Sequence, residues 1–313
     1  MIGLLLALAA QALAPPASDI LSPEARAGLA VDAARPKAAR TMAERRAAAE
    51  AIQQEIGQRM LRRYGVTMTE RTIAGVPVRV FTPKVRRRGA AMLLNLHGGG
   101  FLVDSGSITE NVPVAGLTGY TVIAVRYRLV PGAEFPAALD DALAVYRAIL
   151  RDTPARRVGV YGTSAGAILT VELAARLKRE YVPMPGALGV FSGSGDLSRA
   201  GDSASLFLDP GILRGVVQGY AGTRDLTDPA LSPARTALAG WPPTLCIASG
   251  RDYLLSSTAD FCRKLDADGS SAKLVLFDGL PHAFWSYIEA PESDAAFATM
   301  ARFLKAELER KAR

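Results

Sequence analysis

Arg157-Val158-Gly159-Val160-Tyr161-Gly162-Thr163-Ser164-Ala165-Gly166-Ala167-Ile168-Leu169-Thr170-Val171-Glu172-Leu173-Ala174 begins as a short β-branched run and continues, from about Ala165 to Lys178, as an apolar helical pattern. That order leaves Ser164 on a sharp strand-to-helix turn, with Gly162 and Gly166 completing a G-x-S-x-G elbow. A serine at such a tip sits in a strained backbone conformation, so the positions two before and two after must be small for the chain to fold past it. The turn directs the Ser164 hydroxyl outward. It also puts the Ala165 amide at a helix N-terminus, where backbone donors and the helix dipole favour a developing negative oxygen. Ser164 therefore reads as a nucleophile. Small residues in a plain turn would produce the same five letters, and it is the flanking strand and helix that separate the two readings.

Upstream, Met92-Leu93-Leu94-Asn95-Leu96-His97-Gly98-Gly99-Gly100-Phe101 is a buried-strand pattern running into three glycines. Consecutive glycines after a strand let the chain turn with its amides exposed toward an incoming oxygen. Gly98 and Gly99, completed by Ala165, are the expected oxyanion donors; a flexible glycine loop explains the glycines but not the strand and histidine ahead of them. The chain has two histidines. His97 is expected to shape the glycine loop, which leaves His282, in Asp278-Gly279-Leu280-Pro281-His282-Ala283-Phe284, as the candidate base. A third group must orient the imidazole and stabilise its protonated form. Asp252, just past a strand end in Ala248-Ser249-Gly250-Arg251-Asp252-Tyr253-Leu254-Leu255, gives the chain order Ser, Asp, His. Asp278 is its rival, although turn or capping duty suffices to explain that residue.

Farther out, strand patterns at residues 72–82, 91–96, 120–126, 158–162, 187–192, 245–249 and 273–277 alternate with helical ones at 137–151, 164–179, 255–267 and 292–311. This succession predicts an α/β fold with a mostly parallel, doubly wound sheet, within a single domain over residues 19–313. Residues 22–63 read as Ala-rich helix, and 194–242, rich in glycine and proline, as an excursion from the sheet. Residues 20–63 and 194–242 together are expected to form a helical cap over the carboxyl ends of the strands. Hydrophobic content of 49% and charged content of 21% fit a folded domain with a sizeable core and exclude disorder. The net charge of +7 comes partly from Arg86-Arg87-Arg88, a short basic turn; nucleic-acid binding calls for a broader basic face with interleaved aromatics, so no nucleic-acid partner is expected. Cys246 and Cys262 lie in separate apolar patterns without histidine neighbours. Two buried thiols are expected, a bridge only in an oxidising compartment, and no metal site.

With these motifs in place the chain resembles the hormone-sensitive-lipase-like (bacterial family IV) carboxylesterases of the α/β-hydrolase superfamily. The resemblance rests on His97 to Phe101; on Tyr127-Arg128-Leu129-Val130-Pro131 with Phe135-Pro136-Ala137-Ala138-Leu139-Asp140-Asp141; and on Gly162 to Gly166. Asp228-Pro229, Leu231-Ser232-Pro233, Pro242-Pro243-Thr244, Asp252-Tyr253-Leu254 and His282-Ala283-Phe284 extend it over roughly residues 75–310. It implies an α/β-hydrolase fold with a helical cap, no cofactor, and hydrolysis of short- to medium-chain esters. Thr163 stands where Asp is commoner, which looks like the GTSAG subgroup; Gly132-Ala133-Glu134 replaces a more usual Glu-His-Pro, and Asp104 stands where a glycine is frequent. On this reading a small-molecule ester acylates Ser164, and Phe101, Phe207, Leu208 and Leu213 line the acyl pocket. A lactone, an amide or an acylated specialised substrate would use the same machinery. A non-catalytic ligand-binding protein on the same fold is the alternative outside enzymes, and the presence of His282 argues against it. The natural substrate and the oligomeric state, a homodimer among the options, stay open.

Residues 1–18 are apolar and rich in small residues, with Pro15-Pro16 near their end. They are too short for a comfortable membrane span and match a secretory signal that lacks the usual basic start. Cleavage implies export to the periplasm or medium without stable membrane insertion; the competing readings are an uncleaved hydrophobic anchor or the apolar start of a helix of the fold, and a chain that is not exported would stay in the cytoplasm.

Overall fold

The computed structural model describes residues 18–34, 41–86 and 91–310. In chain order the helices are α1 (Pro23–Ala34), α2 (Met42–Tyr64), α3 (Asn111–Thr118), α4 (Ala137–Ile149), α5 (Ala165–Arg179), α6 (Asp202–Phe207), α7 (Pro210–Ala221), α8 (Leu255–Ala267) and α9 (Pro291–Glu309). The strands are β1 (Val66–Ile73), β2 (Val76–Pro83), β3 (Met92–Leu96), β4 (Thr121–Val125), β5 (Val158–Thr163), β6 (Ala187–Phe191), β7 (Thr244–Arg251) and β8 (Ala272–Pro281). They form one sheet in the order β1-β2-β4-β3-β5-β6-β7-β8. β1 and β2 pair antiparallel, as do β2 and β4, and the pairs from β4 through β8 are parallel.

The central strands β3 to β6 are buried along almost their whole length and mostly apolar because helices cover both faces of the sheet. Leu139 and Val145 of α4, Leu169 and Leu173 of α5, and Phe261 and Leu265 of α8 fill the core on one face. Val112 and Val114 of α3 and Phe297, Met300 and Leu304 of α9 fill it on the other, joined by Ile56 and Met60 of α2. At about 1.5–3 kcal/mol for each fully buried side chain of this size, the two layers supply the main driving force for the fold.

Two elements depart from the sequence expectation. The first strand starts at Val66 rather than near Thr72: β1 is an edge strand whose residues are mostly exposed, so it carries little hydrophobic pattern. Its turn to β2 uses Ala74 and Gly75, both at positive φ, a geometry that matches the twist of a hairpin. Helix α3 was not foreseen because Asn111-Val112-Pro113-Val114-Ala115-Gly116-Leu117-Thr118 combines a proline and a glycine within eight residues.

The segments expected as a cap are helical but well anchored. Leu21 and Ala25 at the α1 end belong to the core layer with Ile288, and Val217, Tyr220 and Ala221 of α7 belong to the opposite layer. Residues 1–17 and most of the basic turn at 86–88 lie outside the described residues.

Arg79 of β2 explains how α2 is held. Its guanidinium is almost completely buried and binds Glu50 of α2 at 2.6 Å, Ser107 at 2.8 Å and Asp104 at 3.3 Å. Asp104 in turn accepts from Gln53 of α2 and from the Ser107 hydroxyl and amide. Removing the cation leaves a buried carboxylate without its counter-charge. Arg79→Met is therefore expected to lower stability by about 3 kcal/mol or more in denaturant unfolding, whereas an unchanged midpoint would contradict this account of the network.

Candidate active site

Ser164 has φ 57° and ψ −121°, a strained conformation for a residue with a side chain, costing on the order of 1–3 kcal/mol. Its amide donates to Phe191 O at 2.9 Å, and its carbonyl accepts from Ala167 and Ile168 to start α5. The neighbouring glycines are required by contact. A β-carbon on Gly166 would lie 1.8 Å from Leu96 O, and one on Gly162 would lie 2.3 Å from Gly166 O. The end of β3, the end of β5 and the start of α5 thus meet backbone to backbone.

That contact delivers the glycine loop to Ser164. A β-carbon on Gly98 would lie 3.5 Å from the Ser164 β-carbon; one on Gly99, at φ 117°, would lie 2.0 Å from Val103 O. Among the described residues, no backbone carbonyl accepts from the amides of Gly98, Gly99 or Ala165. His97 is buried, with Nδ1 2.8 Å from Gly98 O and its ring stacked on Tyr127 at 4.1 Å. The Tyr127 hydroxyl donates to His97 O at 2.6 Å, so His97 is built into the loop. Helix α2 braces the same loop from outside: Arg46 donates to Leu102 O and Val130 O, and Gln53 donates to Asp104 O while accepting from the Ile108 amide.

His282 and Asp252 come together from the turns after β8 and β7. Their Nδ1 and Oδ1 atoms are 2.7 Å apart, and Oδ1 also accepts from the Leu254 amide at 2.8 Å. Burial pushes the Asp252 carboxyl up, but the adjacent His282, the Ser192 hydroxyl and the Leu254 amide outweigh it and hold the group below its ordinary value. Asp252 is therefore an acceptor for the imidazole, fixing which ring nitrogen carries the proton. The rival Asp278 is exposed and accepts from Ser18 Oγ at 3.3 Å. The Ser249 hydroxyl donates to Pro281 O, tying the two turns together, and Tyr287 donates to His282 O.

Ser164, His282, Gly98 and Gly99 share one cavity of about 250 Å³. A groove of about 280 Å³ beside Glu70, Arg71 and Arg126 shares no wall residue with it. None of the residues expected to line an acyl pocket is in the wall of this cavity. Gly100 and Phe101 both have positive φ, and the Phe101 ring packs on Tyr220 at 3.5 Å, inside the core. Leu213 packs against the same core layer, while Phe207 and Leu208, at the end of α6, are also absent from the cavity wall. Apolar character alone does not say where these side chains go: Phe101 is buried in the core, whereas Phe207 is exposed.

The wall also holds Ser105, Glu110, Tyr253, Ser286 and Tyr287, to which the sequence reading assigned no role. Glu110 immediately precedes α3, where its only sequence signal is an acid among glycine, serine and apolar residues. Asn95, Thr163 and Trp285 neighbour its buried carboxyl, whose Oε2 has no hydrogen-bond partner among the described residues. Burial drives its carboxyl up to about 8, helped by the negative Asp104. Among the described residues there is no cluster suited to a metal ion, and no helix is long and apolar enough to cross a membrane.

Residues 93–286 match the α/β hydrolase fold family. The chain belongs to that family. An acetyl-hydrolase of Streptomyces hygroscopicus is 33% identical to it over 233 residues, covering 70% of this chain and 77% of the relative. The crystal structure of an esterase, E25, matches with a TM-score of 0.82 at 30% identity, over 95% of this chain and 98% of the other. An esterase from the bacterial hormone-sensitive lipase family matches with a TM-score of 0.81 at 25% identity, over 92% and 99%. This α/β hydrolase therefore falls with the bacterial hormone-sensitive-lipase group.

The protonated Glu110 gives a signed pH dependence. Between its ordinary value of 4.5 and about 8 the folded chain holds a proton that the unfolded chain has released, so this group's contribution to stability falls as pH rises through that window. Glu110→Gln, which stays neutral, is expected to lose less melting temperature than the parent from about pH 5 to about pH 9; parallel curves would contradict the assignment.

Proposed function

We propose that this α/β hydrolase is a serine carboxylesterase, cleaving short- to medium-chain carboxylic esters through an acyl-enzyme on Ser164. The observation that carries the reading is the juxtaposition of a strained Ser164 and an Asp252-bonded His282 in one cavity. His282 takes the Ser164 hydroxyl proton as Oγ bonds to the ester carbonyl carbon. The amides of Gly98, Gly99 and Ala165 receive the negative oxygen, each worth on the order of 100-fold in rate. His282 then passes its proton to the departing alkoxide, the C–O bond breaks, and the alcohol leaves. Water, deprotonated by the same imidazole, attacks the acyl carbon and releases the acid. Asp252 keeps the imidazole oriented and stabilises its charged form throughout.

A cavity of about 250 Å³ stands at the small end of ligand sites, which favours short acyl groups. A relative named acetyl-hydrolase supports the same choice. The helices at 20–63 and 194–242 would act as the cap that bounds the entrance, and cleavage after the apolar leader would make the enzyme an exported one. Arg46 and Gln53 of α2 on the glycine loop, and Tyr220 of α7 on Phe101, support the cap assignment.

With p-nitrophenyl acetate, Ser164→Ala, His282→Ala and Asp252→Asn are each expected to lower kcat by about 10⁴-fold or more with the fold retained. Asp278→Asn is expected to stay within about threefold of the parent. Near-normal turnover by folded Ser164→Ala protein would end the covalent mechanism, and a collapse in Asp278→Asn with Asp252→Asn spared would reverse the choice of acid.

A further inference from the structure

Tyr253 directly follows Asp252, and its ring lies on the His282 imidazole with centroids 4.1 Å apart and planes inclined by 26°. The same side chain forms part of the cavity wall with Ser164, and its hydroxyl lies near that serine. The Asp252-Tyr253-Leu254 motif accounts for the acid and leaves the tyrosine without a task. We propose that Tyr253 is the positioning residue for His282, its ring setting the plane in which the imidazole works between Asp252 and Ser164.

The hydrogen bond to Asp252 Oδ1 and the Cβ–Cγ bond fix two points of the imidazole and leave the ring a tilt about the line that joins them. An aromatic face at 4.1 Å removes this freedom on one side, and the charged imidazole formed in both half-reactions is attracted to the face of the π system. Burial raises the phenol well above its ordinary value, so the face stays neutral while His282 gains and loses its proton. Tyr253 is itself held from behind. Its carbonyl accepts from the Ser203 hydroxyl of α6 at 3.1 Å, and Ser203 and Ser256 exchange two amide-to-hydroxyl bonds at 3.1 and 2.9 Å. The excursion at 194–242 thereby supports the proton-transfer residue through the turn that also carries Asp252.

The proposal rests on His282 being the base, and its test separates the two. Parent, Tyr253→Phe, Tyr253→Met and Tyr253→Leu proteins, each checked by thermal melting, are compared on p-nitrophenyl acetate, p-nitrophenyl hexanoate and phenyl acetate, with His282→Ala as reference. Loss of the ring in the Met variant is expected to lower kcat about tenfold with KM within about twofold, by the same factor for all three esters. The Phe variant, which keeps the ring, is expected to recover to within about threefold of the parent. If Tyr253→Met does not fold, Tyr253→Leu carries the comparison, and Phe against the parent tests the hydroxyl in either case. Parent-like kcat in the Met or Leu variant overturns the proposal. So does a Phe variant as slow as the Met one, which would transfer the effect to the hydroxyl, or a loss confined to KM and graded with acyl length, which would make Tyr253 a substrate-lining residue. Turnover that survives in His282→Ala overturns the underlying reading as well.

Discussion

The Leu96 carbonyl stands where a side chain at position 166 would begin. A β-carbon on Gly162 would be 2.6 Å from the same oxygen, so β3, β5 and α5 are packed at a distance that only glycine permits. This close approach pins the reactive turn from below and holds Ser164 in a conformation it would not choose. Because the glycine loop is the direct continuation of β3, the same contact sets the distance between Ser164 and the amides of Gly98 and Gly99. Strain at one residue is balanced by the packing of the whole sheet around it.

Polar groups on the two faces of the loop stiffen what the glycines leave free. On one side Arg79, Glu50, Asp104 and Ser107 tie α2 to β2 and the residues after His97. On the other, Tyr220 packs on Phe101 and donates to the buried Glu172 of α5 at 2.6 Å. Burial pushes the Glu172 carboxyl well above its ordinary value despite that bond, so α7 is seated on a carboxyl whose charged form is disfavoured. The helices beyond the sheet are thus joined to the chemistry through specific atoms of the loop.

The elbow, the glycine loop and the order Ser, Asp, His were legible because backbone geometry compels their residue types. Glycine is needed where a β-carbon would meet a carbonyl, and a chain with two histidines offers few bases. The central parallel strands were legible because covering both faces makes them mostly apolar. Other features lacked a local cause. β1 is a polar edge strand, α3 carries a proline and a glycine, and Arg79 is buried by a helix that follows from distant packing rather than from the alternation of β2. Glu110 and Tyr253 reach the cavity through tertiary placement, and Phe101 leaves it by two residues of positive φ. Hydrophobicity foretold that Phe101 would be covered, but the direction of its ring is a property of the turn.

The central claim is that the strained Ser164 hydroxyl is the group made nucleophilic by this arrangement. Treatment of the native chain with an ethyl p-nitrophenyl alkylphosphonate, followed by intact mass and peptide mapping, tests it most directly. The account predicts one phosphonyl group per chain, attached at Ser164 and lost in His282→Ala protein under the same conditions. A stable adduct on another hydroxyl, or equal labelling of Ser164 without His282, would contradict it.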